Sequence, residues 1–530
     1  MLIKIIYKNF IAFFISLIFL TIPFFEFINQ NFEDYNISDY SSIFFNYIII
    51  IISGIIFSSF FYFFFFKKFK SVFFFYAIFV FFFFKWSELN LFLKKIYVPF
   101  YSYISIIIIL LPSLFFFFSL VSKNNKELKK FCILFLSIYF FFLLSIFFYN
   151  KLKFDFNFKK SQINFSKNNN LSTFKKKNIT NNSKVNIYYV ILDGAISLER
   201  FEEIYSISSS ELKSKFNLPE FIYVPMDSSY FDTALTIGSI FNLNYVSDDF
   251  TIHKKNLYPH ILSKRNFKNN KPNLVRILEE NNYAFKWYSN MNMDCKFINN
   301  EICLGSNNNN FNKYLNQYFI INFYGSTPLI ALISKFNPSL INKQYFKKND
   351  ALNNFLSNKP RLDKNKSYFF LIHSMMPHEP YFYDENCNYI NNQIINDQNI
   401  INFGYKMNYL CALKRVKEFQ DYIISKDKNA IVVIQGDHGY FFKNKDVLIL
   451  RQDSFNKYIN TLYENDQKEL LKNYSTLNLI KHGICQIPEK THLDNVNSII
   501  FAINCAIGLD IKYKNKKTFF SHEKEIKLDK

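Results

Sequence analysis

The stretch 431–439, Ile-Val-Val-Ile-Gln-Gly-Asp-His-Gly, places a carboxylate beside an imidazole directly after an apolar run. Such a run suits a strand buried on both faces. In open α/β sheets, ligands sit just beyond the carboxyl ends of the strands. Asp437 and His438 at that position suit a divalent metal. The other reading of the same residues is a tight Asx-type turn with a solvated histidine.

Two more segments share the design. Residues 185–192 form an apolar run that leads into Asp193-Gly194, and residues 368–372 form one that leads into His373. A lone buried strand ending in Asp is usually a helix cap, but three such ends converging on one rim point to a site. Asp193, Asp437 and His438 together suit one divalent cation: Mn, Mg or Zn, with Ca also admissible. The missing part is a nucleophile, and 228–239 (Ser-Ser-Tyr-Phe-Asp-Thr-Ala-Leu-Thr-Ile-Gly-Ser) offers Thr233 at a helix start. Backbone N–H groups there stabilise an anion, and a metal-bound hydroxyl is easier to deprotonate. The simpler local reading is that Thr233 or Asp232 is an N-cap.

The elements that must hold these residues alternate. Residues 272–282 predict a helix with Leu274, Val275 and Leu278 on one face, and Tyr409, Leu413, Val416, Phe419 and Ile423 predict a longer one. Strands alternating with helices predict an α/β domain whose mostly parallel central sheet is covered on both sides. We expect it over 185–515, about 330 residues in one domain, with a tail at 516–530 and a linker rich in Asn, Lys and Ser at 151–184.

The first 150 residues differ in kind. The chain has 70 Phe and 36 Tyr among 530 residues, against 10 Gly, and much of the Phe lies in apolar runs long enough to span a bilayer. Five transmembrane helices are expected in this N-terminal domain, near 9–28, 43–66, 71–87, 99–122 and 131–149. Alternate loops are basic (Lys4 and Lys8; Lys67, Lys68 and Lys70; Lys123, Lys126, Lys129 and Lys130), whereas Glu33, Asp34 and Asp39 make the first intervening loop acidic. The positive-inside rule puts the N-terminus in the cytoplasm, and an odd number of spans sends the rest outside. The expected location is therefore the cytoplasmic (inner) membrane, multi-pass, with a periplasmic or otherwise extracytoplasmic second half.

The formal charge of +21 does not make nucleic acid a partner. Lys is scattered through Asn- and Ile-rich loops, with no basic stripe interleaved with stacking aromatics. Anionic lipid headgroups are the more economical partner for surplus Lys near a bilayer. Of seven Cys, Cys132 falls in the fifth span and six lie on the oxidising side, where disulfides are expected. Cys295–Cys303, Cys387–Cys411 and Cys485–Cys505 are the pairs suggested by proximity, with buried free thiols an equal alternative for the last.

The motifs also carry a resemblance. Asp193 in Ile-Leu-Asp-Gly, Thr233 in Asp-Thr-Ala-Leu-Thr, His378 in Met-Pro-His-Glu-Pro-Tyr and Gly-Asp-His-Gly at 436–439 occur in that order. Together they resemble the sulfatase-like branch of the alkaline phosphatase superfamily. Five spans before an exported domain are similar to the plan of lipoteichoic acid synthases and lipid A phosphoethanolamine transferases. Residues 233–245 resemble the nucleophile segment of that group, and Tyr-Ser-Thr-Leu-Asn at 474–478 and Asp-Asn-Val-Asn at 494–497 resemble its tail.

The resemblance implies a sulfatase-like α/β sandwich with one divalent metal held by Asp193, Thr233, Asp437 and His438. It implies Thr233 as covalent nucleophile and His378 as the histidine that meets substrate or leaving group; His373 and Asn242 are secondary substrate-binding candidates. Thr-Ala-Leu-Thr-Ile at 233–237 lacks the Cys or Ser followed by Pro and Arg that sulfatases convert to formylglycine, which argues against sulfate ester hydrolysis. No further histidine follows closely after Gly439, which argues against an ethanolamine headgroup. The leading expectation is transfer of a phospho-headgroup from a membrane lipid donor to an envelope glycan or glycolipid. Hydrolysis of sulfate or phosphate esters and a non-catalytic scaffold of glycan assembly are the alternatives.

Overall fold

A computed structural model of the protein describes residues 10–30 and 37–61, a few positions between 76 and 152, then 185–245, 272–289, most of 350–390, 398–440 and most of 464–519. The chain divides into two compact units, Met1–Phe158 with Asn307–Gln344, and Lys159–Ser306 with Tyr345–Lys530. In the first unit, helices α1 (Phe10–Gln30) and α2 (Ile37–Phe61) overlie the first two expected spans. Phe24 and Tyr47 pack against each other with ring centroids 5.0 Å apart. Among the described residues, no helix is long and apolar enough to cross a membrane. The third, fourth and fifth expected spans and the 151–184 linker lie almost wholly outside the described residues.

The second unit runs β1 (Ile187–Leu192), α3 (Leu198–Tyr205), α4 (Ser209–Phe216), β2 (Ile222–Tyr223), β3 (Met226–Asp227), α5 (Thr233–Asn242), α6 (Asn273–Glu280), β4 (Tyr283–Ser289) and α7 (Ala351–Asn358). It continues with β5 (Ser367–Ser374), α8 (Gln398–Lys426), β6 (Ile431–Gly436), α9 (Gln467–Lys472), β7 (Ser475–Thr476), β8 (Asn478–Lys481) and α10 (Asn495–Ile507). Six strands form one sheet in the order β2-β8-β6-β1-β5-β4. β6, β1, β5 and β4 are mutually parallel, and β8 and β2 add antiparallel pairings at one side. The expected α/β fold with a mostly parallel sheet is thus observed.

Side chains alternate between the two faces of a strand, and both faces of this sheet are apolar. Ile187, Tyr189 and Ile191 of β1 join Leu235, Ile240, Leu274, Leu278, Ile499 and Ile503 in one core, which places α5, α6 and α10 on that face. Tyr188, Val190 and Leu192 join Phe201, Phe355, Tyr409, Val416 and Phe419 in the other, which places α3, α7 and α8 opposite. Every residue of β1, β5 and β6 is buried, and such complete burial is why these strands read as continuous apolar runs rather than alternating ones.

Register decides what reaches the rim. Leu192 pairs with Ser374 on one side and with Gly436 on the other. The residues that follow, Asp193 and Asp437, therefore leave the sheet at the same height. The β5 strand runs further than 368–372 and ends at Ser374, so His373 sits within the ladder opposite Ile191. By alternation it points to the face that carries α5.

The structure joins Cys387 to Cys411 and Cys485 to Cys505, with Cα separations of 5.0 and 5.9 Å. Cys132, Cys295 and Cys303 lie outside the described residues.

Candidate functional site

Three strand ends and one connecting turn build the site. Asp193 follows β1, and its backbone N–H is fixed by the Ser374 carbonyl at 2.9 Å. Gly194 next to it has φ +67°, a left-handed conformation that glycine adopts without strain. Its N–H donates to Asp437 Oδ1 at 2.9 Å, and the N–H of His438 donates to the same oxygen at 2.9 Å. One carboxylate oxygen of Asp437 is thereby spent on organising the turn, and its Oδ2 is left for the site. Gly439 closes the turn where a Cβ would collide with the Asn473 carbonyl oxygen, so glycine is required there by contact rather than by φ.

Asp193 lies at the centre. Its Oδ1 is 3.3 Å from His438 Nε2, and its Oδ2 is 3.3 Å from His373 Nε2. His438 Nε2 is 3.7 Å from Asp437 Oδ2. His378 enters from the loop after β5, just beyond the cis peptide bond Met376–Pro377. Its N–H donates to the Asp193 carbonyl at 3.0 Å, and its ring stands perpendicular to that of His438, centroids 6.0 Å apart. Asp193, Asp437, His373 and His438 are all buried.

Thr233 is the first residue of α5. Asp232 caps that helix, accepting from Leu235 N–H at 3.1 Å through its side chain and from Thr236 N–H at 3.0 Å through its carbonyl. The capping role therefore falls to Asp232, and the Thr233 hydroxyl is not needed for it. Phe231, two residues earlier, packs on His438 with ring centroids 5.2 Å apart, which brings this helix start to the His438 side of the cluster. Asn242 is at the other end of α5, about 13 Å along the axis, where its amide donates to the Gly238 carbonyl at 2.9 Å. It is not brought to the cluster.

Two overlapping triads, Asp193–His378–His438 and Asp193–His373–Asp437, have ligand atoms within 4.8 Å of one another. Among the described residues, Asp193 Oδ1, Asp437 Oδ2 and both ring nitrogens of His373 are buried without a hydrogen-bond partner. Leaving buried polar groups unmatched costs about 1–3 kcal/mol each, so their concentration at one point fits a cation that would satisfy several at once. The donor set of carboxylates and imidazoles suits a borderline divalent ion. His438 Nδ1 lies 2.7 Å from the Gly439 carbonyl. Donation there leaves Nε2 as the lone pair facing the carboxylates, the arrangement usual for a ligating histidine.

The electrostatics agree. Burial raises the Asp193 carboxyl, yet the His373 and His438 rings 3.3 Å from its oxygens and the charges of His378 and His438 outweigh it and hold it well below the usual range. Burial lowers His438, but Asp437 and Asp193 push it up to about 10. Two buried carboxylates thus demand positive charge, which a proton or a metal can supply.

Sequence reading missed the layer behind the cluster. Tyr405, from α8, donates its hydroxyl to the Gly194 carbonyl at 2.7 Å and accepts from Ile196 N–H at 3.3 Å. Tyr409 does the same for the Ile196 carbonyl at 2.8 Å. In sequence these tyrosines carry only the apolar helix period, so no local signal marks them.

The fold and cluster define a class: an α/β domain with carboxylate and imidazole side chains gathered at the carboxyl ends of adjacent parallel strands. No protein-family model matches the chain, and no curated protein matches it by sequence. Among solved structures it is similar to the C-terminal periplasmic domain of EptC from Escherichia coli in complex with Zn, at 12% identity over 64% of this chain and 86% of that one, TM-score 0.36. It is similar to the lipoteichoic acid synthase LtaP from Listeria monocytogenes, at 13% identity over 69% and 82%, TM-score 0.33. A protein in the alkaline phosphatase superfamily from Vibrio parahaemolyticus is similar at 11% identity over 68% and 80%, TM-score 0.35.

Proposed function

We propose that the chain is a membrane-anchored, metal-dependent phosphotransferase of the sulfatase-like branch, which moves a phospho-headgroup from a lipid donor to an envelope glycan or glycolipid. The observation that carries this reading is the cluster itself. Asp193, Asp437, His438, His373 and His378 converge, and several of their buried carboxylate and imidazole atoms have no hydrogen-bond partner. The five apolar runs and three basic loops support an anchor in the cytoplasmic membrane and export of residues 185–530, to the side where a lipid donor is available.

Asp193, Asp437, His438 and Thr233 would hold one divalent ion, with His373 within reach of it. When bound, the metal supplies charge neutralisation for the transferring phosphoryl group and lowers the pKa of a coordinated hydroxyl. Thr233, with its hydroxyl proton released to solvent beforehand, attacks the donor phosphorus through Oγ1, and the bond from phosphorus to the lipid alcohol oxygen breaks. The alcohol leaves with a proton delivered by His378. Thr233 then carries the headgroup as a phosphodiester. An acceptor hydroxyl gives its proton to His378 and attacks the same phosphorus, the bond to Thr233 Oγ1 breaks, and Thr233 leaves in the deprotonated form in which it began. The dipole of α5 favours negative charge developing at its start.

The test is intact mass of the full-length protein after incubation with membrane lipid. An adduct that maps to Thr233, and whose mass identifies the headgroup, is expected. Adduct on another residue, or none with any phospholipid and any divalent ion, would overturn the mechanism.

A further inference from the structure

Asp-Asn-Val-Asn at 494–497 is a motif that the proposed chemistry leaves without a task. Asp494, Asn495 and Asn497 are fully buried. Asp494 caps α10 by accepting from Asn497 N–H at 2.8 Å. Asn495, inside the first turn, has no capping duty, yet its carboxamide makes a bond at each end. Nδ2 donates to the Gly436 carbonyl at 3.0 Å, and Oδ1 accepts from the Ser229 N–H at 3.0 Å. Gly436 immediately precedes Asp437 and His438, and Ser229 lies on the segment that leads into Thr233.

The same helix start grips both flanks of α5. The Asp494 carboxylate accepts from Ser229 Oγ before that helix, at 3.4 Å, and from the Tyr245 hydroxyl beyond it. The Asn495 carbonyl accepts from the Tyr189 hydroxyl at 3.1 Å, and Tyr189 in turn accepts from Gln435 Nε2 at 2.5 Å. The grip thus reaches the side chains beneath the end of β6 as well as its backbone.

We propose that Asn495 is a positioning residue: its carboxamide cross-links the Thr233 segment to the Asp437–His438 turn and so sets the distance from nucleophile to metal carboxylate. Only an amide side chain offers a donor and an acceptor in this geometry. Aspartate keeps the shape and the acceptor but loses the donor, and it turns a negative oxygen toward the Gly436 carbonyl. Alanine loses both. The inference rests on the reading of Thr233 as a metal-side group.

The test is a double-mutant cycle read by Mn(II) binding to the full-length, EDTA-stripped protein, by calorimetry or electron paramagnetic resonance. The proteins are wild type, Thr233→Ala, Asn495→Asp and the double variant, with Asn495→Ala as a second version and circular dichroism to establish folding. Thr233→Ala is expected to weaken Mn(II) binding about tenfold in wild type and less than about twofold once the cross-link is cut, because coupled sites are non-additive. A purely architectural Asn495 predicts the same factor in both backgrounds, and that result overturns the proposal. So does wild-type Mn(II) affinity in both Asn495 variants, or failure of both to fold. Absence of Mn(II) binding by wild type instead removes the metal reading, and this inference with it.

Discussion

His438 Nε2 stands 3.3 Å from Asp193 Oδ1, although the two residues follow strands far apart in the chain. The contact exists because β6 pairs directly with β1, Leu192 opposite Gly436, so the next residue of each strand leaves the sheet at one level. The arrangement makes several outcomes measurable.

Asp437→Asn keeps the turn, since Asn serves an Asx turn about as well, and its remaining oxygen can still accept from Gly194 and His438 N–H. It removes a negative charge from the cluster, and charge count tunes cation binding. Metal content by mass spectrometry of identically purified wild type and variant should fall sharply in the variant. Equal occupancy in both would sink the role of Asp437 as a ligand.

Thr233→Ala should abolish turnover with little loss of stability, because Asp232 supplies the cap. Asp232→Ala should do the converse at the level of the fold, costing on the order of 1 kcal/mol. Thermal melts of the two variants are the check. A Thr233→Ala protein that turns over normally would remove Thr233 from the mechanism.

Stability should depend on pH through His438. Its folded value, about 10, lies above the ordinary 6.5. The stabilisation it provides is therefore fully present below pH 6.5 and lost as pH rises through about 10. Asp193, held low, contributes above its ordinary 3.8 and loses that contribution only in strong acid. Melts of EDTA-stripped protein should fall between pH 6.5 and 10, and saturating Mn(II), which replaces the proton, should flatten that decline. A flat profile without metal would show that His438 is not held protonated by the two carboxylates.

Removing the Cys485–Cys505 link, which closes a separation of 20 residues, should cost about 3 kcal/mol by loop entropy. Urea titration of the Cys485→Ser/Cys505→Ser variant measures it. An unchanged midpoint would mean that the unfolded chain gains no freedom from the loss.

Much of this protein was legible along the chain. Buried parallel strands are covered on both faces, so 185–192 and 431–434 had to be continuous apolar runs, and the ionisable residues that interrupt them at Asp193, Asp437 and His438 stand out against that background. The helix periods of 272–282 and of Tyr409 through Ile423 were legible for the same reason, since burial of one face imposes a spacing of about 3.6 residues. Tertiary structure decided what local pattern does not encode. It set β1 between β5 and β6, which is what brings His373 against Asp193. It extended β5 through Ser374, assigned the α5 cap to Asp232 instead of Thr233, and put Asn242 at the far end of that helix. It also recruited Tyr405 and Asn495, whose hydrogen bonds join segments with no relation in sequence. A side chain's partner across a sheet depends on strand order and register, and those follow from how all the faces are buried together rather than from any one segment.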